Sequence, residues 1–323
     1  MTDLITEEMS VPSEPGIDIY VRNKRPADLT SFSPQRTLLF VHGSTYPAHA
    51  GFDLPLGGQS WMESIASCGY DVYCLDLRGY GRSTWPKAMS EPPANNPPVT
   101  RTPDAVKDIT AVLKAVLKHR NIPRLNLLGW SWGCALMSIT TVQNPDKVAR
   151  LMLHAPSWIR TQPPLFNSEG PVHAYRLVSK AAARERWLNG VPEHKKAELI
   201  PAGWFEQWSD AMWATDPDSG KHNPPLLRAP NGTLADTCEF WMNGKALYDP
   251  AEITVPVLIA VGEWDHDTPP ALVQTIFPLL VNSPGKRLVQ LAEGTHHMMF
   301  EKNRLELFKT VQAFLDEGLT PSS

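Results

Sequence analysis

A serine between two glycines is the residue of this 323-residue chain best placed for nucleophilic chemistry. Ser131 stands in the middle of Gly129-Trp-Ser-Trp-Gly133, after a short apolar run and directly before a helix-forming segment. This order of strand, tight turn and helix predicts that the serine occupies a strained turn with its hydroxyl exposed. The two glycines allow the strand and the helix to pass close together, because neither carries a side chain.

A serine hydroxyl is a weak nucleophile unless a base lies within hydrogen-bond reach and a third group orients that base. Both kinds of partner follow apolar strands later in the chain. Asp265 comes at the end of the apolar stretch in residues 257–270, and His296 lies in the loop within residues 287–301. We therefore predict Ser131 as the nucleophile, His296 as the base and Asp265 as the orienting acid.

The order of serine, acid and histidine, each just past a strand, resembles the α/β-hydrolase family. Two earlier blocks add to the resemblance. Residues 38–44, LLFVHGS, are similar to the family's oxyanion loop, and residues 76–83, DLRGYGRS, are similar to its Gly-rich turn. The resemblance implies an α/β-hydrolase fold: a mostly parallel twisted sheet, flanked by helices, with an inserted, mainly helical cap.

The resemblance covers about residues 17–157 and 251–318. It divides the chain into two parts of a hydrolase core, residues 1–157 and 251–323, and a cap at residues 158–250. Within the core the pattern alternates strands with helices, which by itself predicts a parallel sheet covered on both faces. In the cap the alternation stops and short helical stretches take over.

The acid and the base each have a neighbour of the same type. Asp267 is the alternative acid, but the family pattern G-x-x-D-x-x-[TV]-P favours Asp265. His297 is the alternative base, but in many relatives the catalytic histidine precedes a glutamate by five positions, and Glu301 gives this spacing to His296. Both choices depend on the register of a motif.

The resemblance also implies an oxyanion hole made of two peptide N–H groups. One belongs to Trp132, directly after the nucleophile, and the other to Ser44, with Thr45 as the alternative. His42, in the same loop, is interpreted as structural. A single oxyanion donor typically supplies about 3 kcal/mol of transition-state stabilisation.

Large aromatic side chains are concentrated in the predicted cap, which holds six of the eleven tryptophans. A pocket lined by such side chains suits a sizeable, at least partly apolar or aromatic substrate. Arg176 and Arg228 in the cap are candidates to bind a substrate carboxylate. The candidate pocket residues are Trp130, Trp158, Trp204, Trp208, Trp264 and His297.

The residue type at the nucleophile position narrows the reaction. Haloalkane dehalogenases and epoxide hydrolases of this fold carry an aspartate there, so Ser131 argues against both activities. Carboxylic ester hydrolysis through an acyl-enzyme is the leading hypothesis. Gly-x-Ser-Trp-Gly also resembles prolyl aminopeptidases, which makes amide or peptide hydrolysis the alternative; such enzymes need acidic residues for the substrate amine, and the cap offers Glu185, Glu206 and Glu239.

Two further hypotheses use the same residues. The first is hydrolysis or lysis of a C–C bond by the same triad. The second is a binding protein of the hydrolase fold that has lost catalysis, which the complete set of triad candidates disfavours.

The composition excludes several classes of partner. The formal net charge of −4 argues against a nucleic-acid partner, which would require a basic patch. No apolar run approaches the roughly 20 residues of a membrane span. The N-terminal residues lack the pattern of a secretory signal. The sequence thus predicts a cytoplasmic enzyme that acts on a small molecule, and it assigns no oligomeric state.

The four cysteines show no ligand spacing, and no His/Asp/Glu cluster suggests a metal site. We interpret the cysteines as free thiols of a reducing compartment, and we predict that the protein uses neither a metal nor a cofactor. The four are Cys68, Cys74, Cys134 and Cys238.

Overall fold

The computed structural model describes residues 3–160 and 170–318, and these contain ten strands and ten α-helices. The strands are β1 (Leu4–Glu14), β2 (Ile17–Pro26), β3 (Thr37–Val41), β4 (Asp71–Leu75), β5 (Leu125–Trp130), β6 (Val148–His154), β7 (Tyr175–Ser179), β8 (Leu226–Pro230), β9 (Val257–Gly262) and β10 (Lys286–Leu291). The helices are α1 (Ala48–Phe52), α2 (Trp61–Ala66), α3 (Thr102–Arg120), α4 (Trp132–Gln143), α5 (Lys180–Trp187), α6 (Lys196–Leu199), α7 (Trp204–Trp213), α8 (Gly232–Glu239), α9 (Pro270–Ile276) and α10 (Arg304–Leu315).

Eight of these strands form one sheet in the order β1-β2-β4-β3-β5-β6-β9-β10. The pairs from β4 to β10 are parallel, whereas β1 and β2 join the edge in antiparallel fashion. Strands β3, β4, β5 and β9 are buried along their whole length, as expected of a parallel sheet with both faces covered. The predicted α/β-hydrolase fold is confirmed.

Alternate side chains of the central strands feed two hydrophobic cores. Leu39 and Val41 of β3 belong to the core that includes residues of α3 and α4. Leu38 and Phe40 belong to the core that includes residues of α2 and α10. Because the side chains of a strand alternate between its faces, these two cores hold helices on both sides of the sheet.

Helix α2 begins with a capping box at Ser60. The Ser60 hydroxyl accepts the backbone N–H of Glu63 at 3.0 Å, while the Glu63 carboxylate accepts the N–H of Ser60 at 2.8 Å. This capping box satisfies two N–H groups that the first helical turn would otherwise leave unpaired. Helix α3 begins at Thr102, with Arg101 as its N-cap.

The described part of the segment between β6 and β9 contains α5 to α8, together with a two-stranded antiparallel sheet of β7 and β8. The sequence analysis did not predict this small sheet. Its strands lie about 50 residues apart in sequence, so their pairing depends on tertiary packing and leaves no local turn signal.

Candidate active site

Ser131 occupies a strained backbone conformation at the turn between β5 and α4. Its φ is 59° and its ψ is −121°, outside the regions favoured by L-residues. A Cβ on Gly129 would lie 2.4 Å from the carbonyl oxygen of Gly133, and a Cβ on Gly133 would lie 2.5 Å from that of His42. The backbone therefore passes both positions too closely for any side chain. Strain of about 1–3 kcal/mol at such a residue is characteristic of functional sites.

Asp265 and His296 form a hydrogen-bonded pair beyond the ends of β9 and β10. Asp265 Oδ2 accepts a hydrogen bond from Nδ1 of His296 at 2.9 Å. Asp265 also accepts the backbone N–H of Thr268 at 2.8 Å and the Thr268 hydroxyl at 2.9 Å. These donors orient a carboxylate that is almost completely buried. Because Nδ1 donates to the carboxylate, Nε2 of the neutral ring is the nitrogen that can accept a proton.

A second carboxylate acts on the same imidazole. Nε2 of His296 lies 3.9 Å from Oδ2 of Asp267, and Asp267 also accepts from Nε of Arg186 at 2.7 Å. Burial disfavours the imidazolium, but the charges of Asp265 and Asp267 outweigh it, so the pKa of His296 is raised above its ordinary value. Burial opposes ionisation of Asp267 too, yet Arg186 and His296 hold its pKa at about 2.

Ser131 and His296 line one small cavity, which we call the histidine cavity. The hydrogen bonds of the imidazole go to Asp265 and Thr268, and among the described residues Ser131 Oγ forms none with His296. Contacts between nucleophile and base commonly tighten only when substrate binds. The other residues lining this cavity are Gly43, Ser44, Thr45, Tyr46, Trp130, Arg186 and His297.

The loop after β3 runs directly against the side chain of Ser131. A Cβ on Gly43 would lie 3.0 Å from the Cβ of Ser131. The carbonyl oxygen of Ser44 accepts a hydrogen bond from Arg176 at 3.0 Å, which fixes the loop from the side of β7. Within the described residues, the peptide N–H groups of Ser44 and Trp132 donate no hydrogen bond. An oxyanion hole requires such unoccupied donors.

His42 holds the same loop in place. Its Nε2 accepts the backbone N–H of Leu77 at 3.1 Å, which leaves the proton on Nδ1, 2.7 Å from the carbonyl oxygen of Gly43. Burial lowers the pKa of His42 to about 4, so the ring stays neutral near pH 7. Its hydrogen bonds give it a structural part in the loop.

Two other histidines near the site are also neutral. Burial lowers the pKa of His154 to about 3 and that of His297 well below its ordinary value. The His297 ring stacks on Trp187 with the centroids 4.9 Å apart. Among His154, His296 and His297, the described residues pair only His296 with a carboxylate.

Sequence comparison identifies the family of this chain. A family model described as alpha/beta hydrolase fold matches residues 36–303. The chain belongs to the α/β hydrolase fold family. Among curated proteins, none matches this hydrolase-family chain significantly.

Solved structures of similar fold cover nearly the whole of this hydrolase-family chain. A serine hydrolase from the polyaromatic hydrocarbon-degrading bacterium Cycloclasticus zankles has a TM-score of 0.64 at 14% identity, covering 98% of this chain and 100% of its own. The N-acyl homoserine lactone degrading enzyme Est816 has a TM-score of 0.62 at 18% identity, covering 95% and 100%. The 2-hydroxy-6-oxo-6-phenylhexa-2,4-dienoate hydrolase of Rhodococcus sp. strain RHA1 has a TM-score of 0.60 at 16% identity, covering 97% and 99%. At these identities the likeness establishes the fold alone.

Four of the predicted pocket residues of this α/β hydrolase lie at or directly behind its cavities. Trp130 and His297 line the histidine cavity, and the Trp130 indole N–H donates to the carbonyl oxygen of His296 at 2.9 Å. Trp158 lines a second cavity, which Ser131 also lines. Trp208 is fully buried behind His297, with the ring centroids 6.1 Å apart.

The other two predicted pocket residues line neither cavity beside Ser131. The Trp204 ring packs against the guanidinium of Arg304, whose Cζ lies 4.5 Å from the ring centroid. Trp264 is half-buried at the margin of a core and donates its backbone N–H to Gly294 at 2.8 Å.

The second cavity beside Ser131, of about 60 Å³, we call the arginine cavity. Its described lining includes three arginines from three elements: Arg160 after β6, Arg176 on β7 and Arg186 on α5. Of these, the sequence analysis considered only Arg176. Arg160 and Arg186 share no motif, and only the folding of the segment between β6 and β9 onto the core brings them to Ser131. The wall also contains Asp267, Thr268, Ser157, Thr233, Leu234, Thr237, Trp241 and Leu272.

Glu301 connects α5 to the loop after β10 that carries His296. Its carboxylate accepts hydrogen bonds from the hydroxyl and the backbone N–H of Thr295, and from the indole N–H of Trp187 at 2.8 Å. Burial outweighs these donors and raises the pKa of Glu301 to about 7. Glu301, whose spacing favoured His296 in the sequence, thus links the loop that carries His296 to the segment predicted as the cap.

Cys68, Cys74, Cys134 and Cys238 are free thiols. In residues 3–160 and 170–318, no three His, Cys, Asp or Glu side chains are grouped as metal ligands would be. The helices described there include none that combines the length and the apolar character needed to cross a membrane.

Proposed function

We propose that this α/β hydrolase is a serine esterase that cleaves a carboxylic ester of a small molecule through an acyl-enzyme. The observation that carries the proposal is the hydrogen bond of 2.9 Å between Asp265 and His296, in a site where His296 and the strained Ser131 line the same cavity. Nucleophile, base and orienting carboxylate in one site are what acyl transfer by a serine needs.

In the proposed reaction Ser131 Oγ attacks the ester carbonyl carbon while Nε2 of His296 takes the hydroxyl proton. The carbonyl oxygen becomes an oxyanion that accepts hydrogen bonds from the N–H groups of Trp132 and Ser44. The imidazolium, stabilised by Asp265, gives its proton to the departing alkoxide as the C–O bond breaks. Water, deprotonated by the same imidazole, then attacks the acyl carbon. The bond between the acyl carbon and Ser131 Oγ breaks as the imidazolium returns its proton to Oγ, and the acid is released.

The substrate we propose has a partly apolar or aromatic body, because Trp158, Leu234 and Trp241 line the arginine cavity. A cavity of about 60 Å³ is far smaller than the 300–1,000 Å³ typical of ligand pockets. Another cavity, of about 650 Å³, is lined by Tyr46 and Arg186, which also line the histidine cavity. A sizeable substrate therefore requires movement of Arg186 or of the segment that carries it.

A fluorophosphonate probe tests the proposal, because it labels only an activated serine. Mass spectrometry should find the adduct on Ser131, and Ser131→Ala should lose both the adduct and the hydrolysis of activated aryl esters. Ser138→Ala, which alters another serine on α4, should retain both. An unlabelled wild-type protein that hydrolyses no ester would instead favour a non-catalytic binding protein.

Hydrolysis of a C–C bond is a second candidate that a specific observation favours. One structural neighbour is named for a phenyl-substituted dienoate, which carries a carboxylate, and arginines are among the residues lining the cavity beside Ser131. Amide hydrolysis has less support, since Glu185, Glu206 and Glu239 are not among the residues lining the two cavities beside Ser131. Assays of matched esters, amides and β-diketones with wild type and Ser131→Ala separate the three reactions.

A further inference from the structure

We infer that Glu301 is a positioning residue for His296. Its carboxylate joins the loop after β10 to Trp187 of α5, so the imidazole is held in place only while α5 lies against that loop. The inference rests on the proposed function, because His296 is the base that would take the proton of Ser131. Glu301 is not among the described residues that line the two cavities beside Ser131, so it would act on the reaction through other side chains.

The Glu301 carboxylate fixes the backbone on both sides of His296. It accepts the backbone N–H of Thr295 at 3.1 Å and also the Thr295 hydroxyl. The Thr295 hydroxyl oxygen in turn accepts the backbone N–H of His297 at 3.2 Å. Thr295 and Glu301 are both buried, so water does not compete for these hydrogen bonds. One buried carboxylate thus holds the residues directly before and after the proposed base.

The same carboxylate is bound from the other side by α5. The indole N–H of Trp187, the last residue of α5, donates to Glu301 at 2.8 Å. The Trp187 ring stacks on His297, with the centroids 4.9 Å apart and the ring planes at 23°. A movement of α5 away from the core would therefore break a hydrogen bond to Glu301 and a stacking contact with His297 together.

Substrate entry makes such a movement relevant. Arg186, which precedes Trp187 on α5, lines both cavities beside Ser131. The arginine cavity has a volume of only about 60 Å³, so a sizeable substrate requires the segment that carries Arg186 to move. When α5 returns, the indole N–H of Trp187 meets Glu301 again. The base would then be fully positioned only after the substrate is enclosed.

The imidazole needs this support because Asp265 controls only the rotation of the ring. Asp265 accepts from Nδ1 of His296 at 2.9 Å, whereas the location of the ring follows its backbone. On the core side, the Trp130 indole N–H donates to the carbonyl oxygen of His296 at 2.9 Å. A displacement of about 1 Å at a reacting group can cost about 100-fold in rate. Release of the loop on the α5 side should therefore reduce turnover more than substrate binding.

A carboxylate suits this junction because it accepts several hydrogen bonds and donates none. Three donors, from α5 and from the loop after β10, converge on Glu301. A glutamine has one acceptor oxygen, and its amide would turn N–H groups towards some of these donors. Burial of the carboxylate is unfavourable and raises the pKa of Glu301 to about 7. A buried charge is weak evidence for a stabilising part, which agrees with a part in positioning.

The test measures kcat and KM separately for a neutral activated aryl ester. The assay is run at about pH 8.5, above the pKa of Glu301, so that its carboxylate is ionised. Trp187→Phe removes the indole N–H and keeps an aromatic ring to stack on His297. It should lower kcat by between about 10-fold and about 100-fold and leave KM nearly unchanged. Glu301→Gln should lower kcat at least as much, since it also disturbs Thr295.

Trp61→Phe is the matched control. Trp61 is a buried tryptophan of α2 that stacks on Phe308 with the centroids 5.0 Å apart. Within the part of the chain that the structure describes, its indole nitrogen has no hydrogen-bond partner. The substitution therefore removes the same atoms without breaking a hydrogen bond, and it should leave kcat and KM unchanged. A loss of kcat equal to that of Trp187→Phe would overturn the inference, since packing alone would then explain both.

A double-mutant cycle separates one shared contact from two independent effects. If Trp187 acts through Glu301, the double variant should lose no more kcat than Glu301→Gln alone, and losses that multiply would overturn the inference. Thr295→Val removes the hydroxyl that donates to Glu301 and should lower kcat, whereas Thr295→Ser keeps it and should restore the rate. Equal rates in these two variants contradict the inference even if Glu301→Gln does not fold.

The outcomes separate this inference from the proposed function. If a fluorophosphonate labels Ser131 and Trp187→Phe keeps the kcat of wild type, or changes only KM, the inference is overturned and the esterase stands. If no ester is hydrolysed, NMR of the Nδ1 proton of His296 still tests the inference. That proton should exchange with water faster in Trp187→Phe than in wild type and in Trp61→Phe, and equal exchange in all three contradicts it.

Discussion

Replacing Asp267 by asparagine should move the acid limb of the pH profile to lower pH. In the proposed mechanism His296 must be neutral to accept the proton of Ser131, so activity should be lost as His296 becomes protonated. Asp267 Oδ2 lies 3.9 Å from Nε2 of His296 and is one of the charges that raise its pKa. Removing that charge should lower the pKa, and the variant should stay active in a more acidic range than wild type.

The size of the shift follows from this distance. Two unit charges 3.9 Å apart interact by about 1 kcal/mol in water and by about 4 kcal/mol at an effective dielectric constant near 20. At 1.36 kcal/mol per pKa unit, these limits correspond to about 0.8 and about 3 units. Arg186, left without this carboxylate, would lower the pKa of His296 further. We therefore expect the acid-side midpoint of the pH profile of kcat/KM to move down by about one pH unit or more.

The measurement is kcat/KM for a neutral activated aryl ester between about pH 4 and 9, with the imidazole of His296 followed in parallel by NMR. Glu185→Gln is the matched control: it removes one negative charge from the exposed side of α5, next to Arg186, and should leave the midpoint in place. A midpoint in Asp267→Asn that is unchanged or higher would refute the electrostatic argument.

Three further variants test the framework of the site. Gly133→Ala should lower the free energy of unfolding by about 1–3 kcal/mol or more, because its Cβ would meet immovable backbone atoms; Gly220→Ala, where nothing lies within 4 Å, is the control in urea unfolding. Thr268→Val should lower kcat/KM about tenfold, since it removes a charge-assisted hydrogen bond to Asp265; Thr268→Ser should restore it, and equal rates in both variants would contradict this. Glu301 has a pKa raised by burial from 4.5 to about 7, so the folded state binds more protons and the free energy of unfolding should fall as pH rises through that window. Glu301→Gln should flatten this slope by up to about 1.4 kcal/mol per pH unit, and an unaltered slope in pH-dependent urea titrations would contradict the assignment.

The elements that the sequence predicted well are those whose shape is decided locally. Gly129, Ser131 and Gly133 form one turn in which five residues determine the geometry, so the motif contains nearly all the information. Strands β3, β4, β5 and β9 are apolar on both faces and read as strands without reference to their partners. By contrast, β1 carries charged residues such as Glu7 and Glu8 and has a single buried residue, Val11. It forms a strand because it pairs with β2 at the edge of the sheet. A short-range sequence pattern does not reveal that pairing.

The arginine cavity marks the limit of prediction by motif. Tryptophan-rich composition led to the expectation of an aromatic pocket, yet Trp204 packs against Arg304 and Trp208 lies behind His297. Large aromatic side chains contribute much buried area wherever a small segment needs it, so their abundance does not locate a ligand.

Buried charge is equally difficult to predict from a motif, because each buried cation costs free energy unless something compensates it. Arg228 meets that cost with Asp216, and Arg186 meets it with Asp267. The two partners lie 12 and 81 residues away along the chain, so these pairings depend on which side chains the fold brings together. The charges that a site presents therefore become predictable only once the fold is assembled.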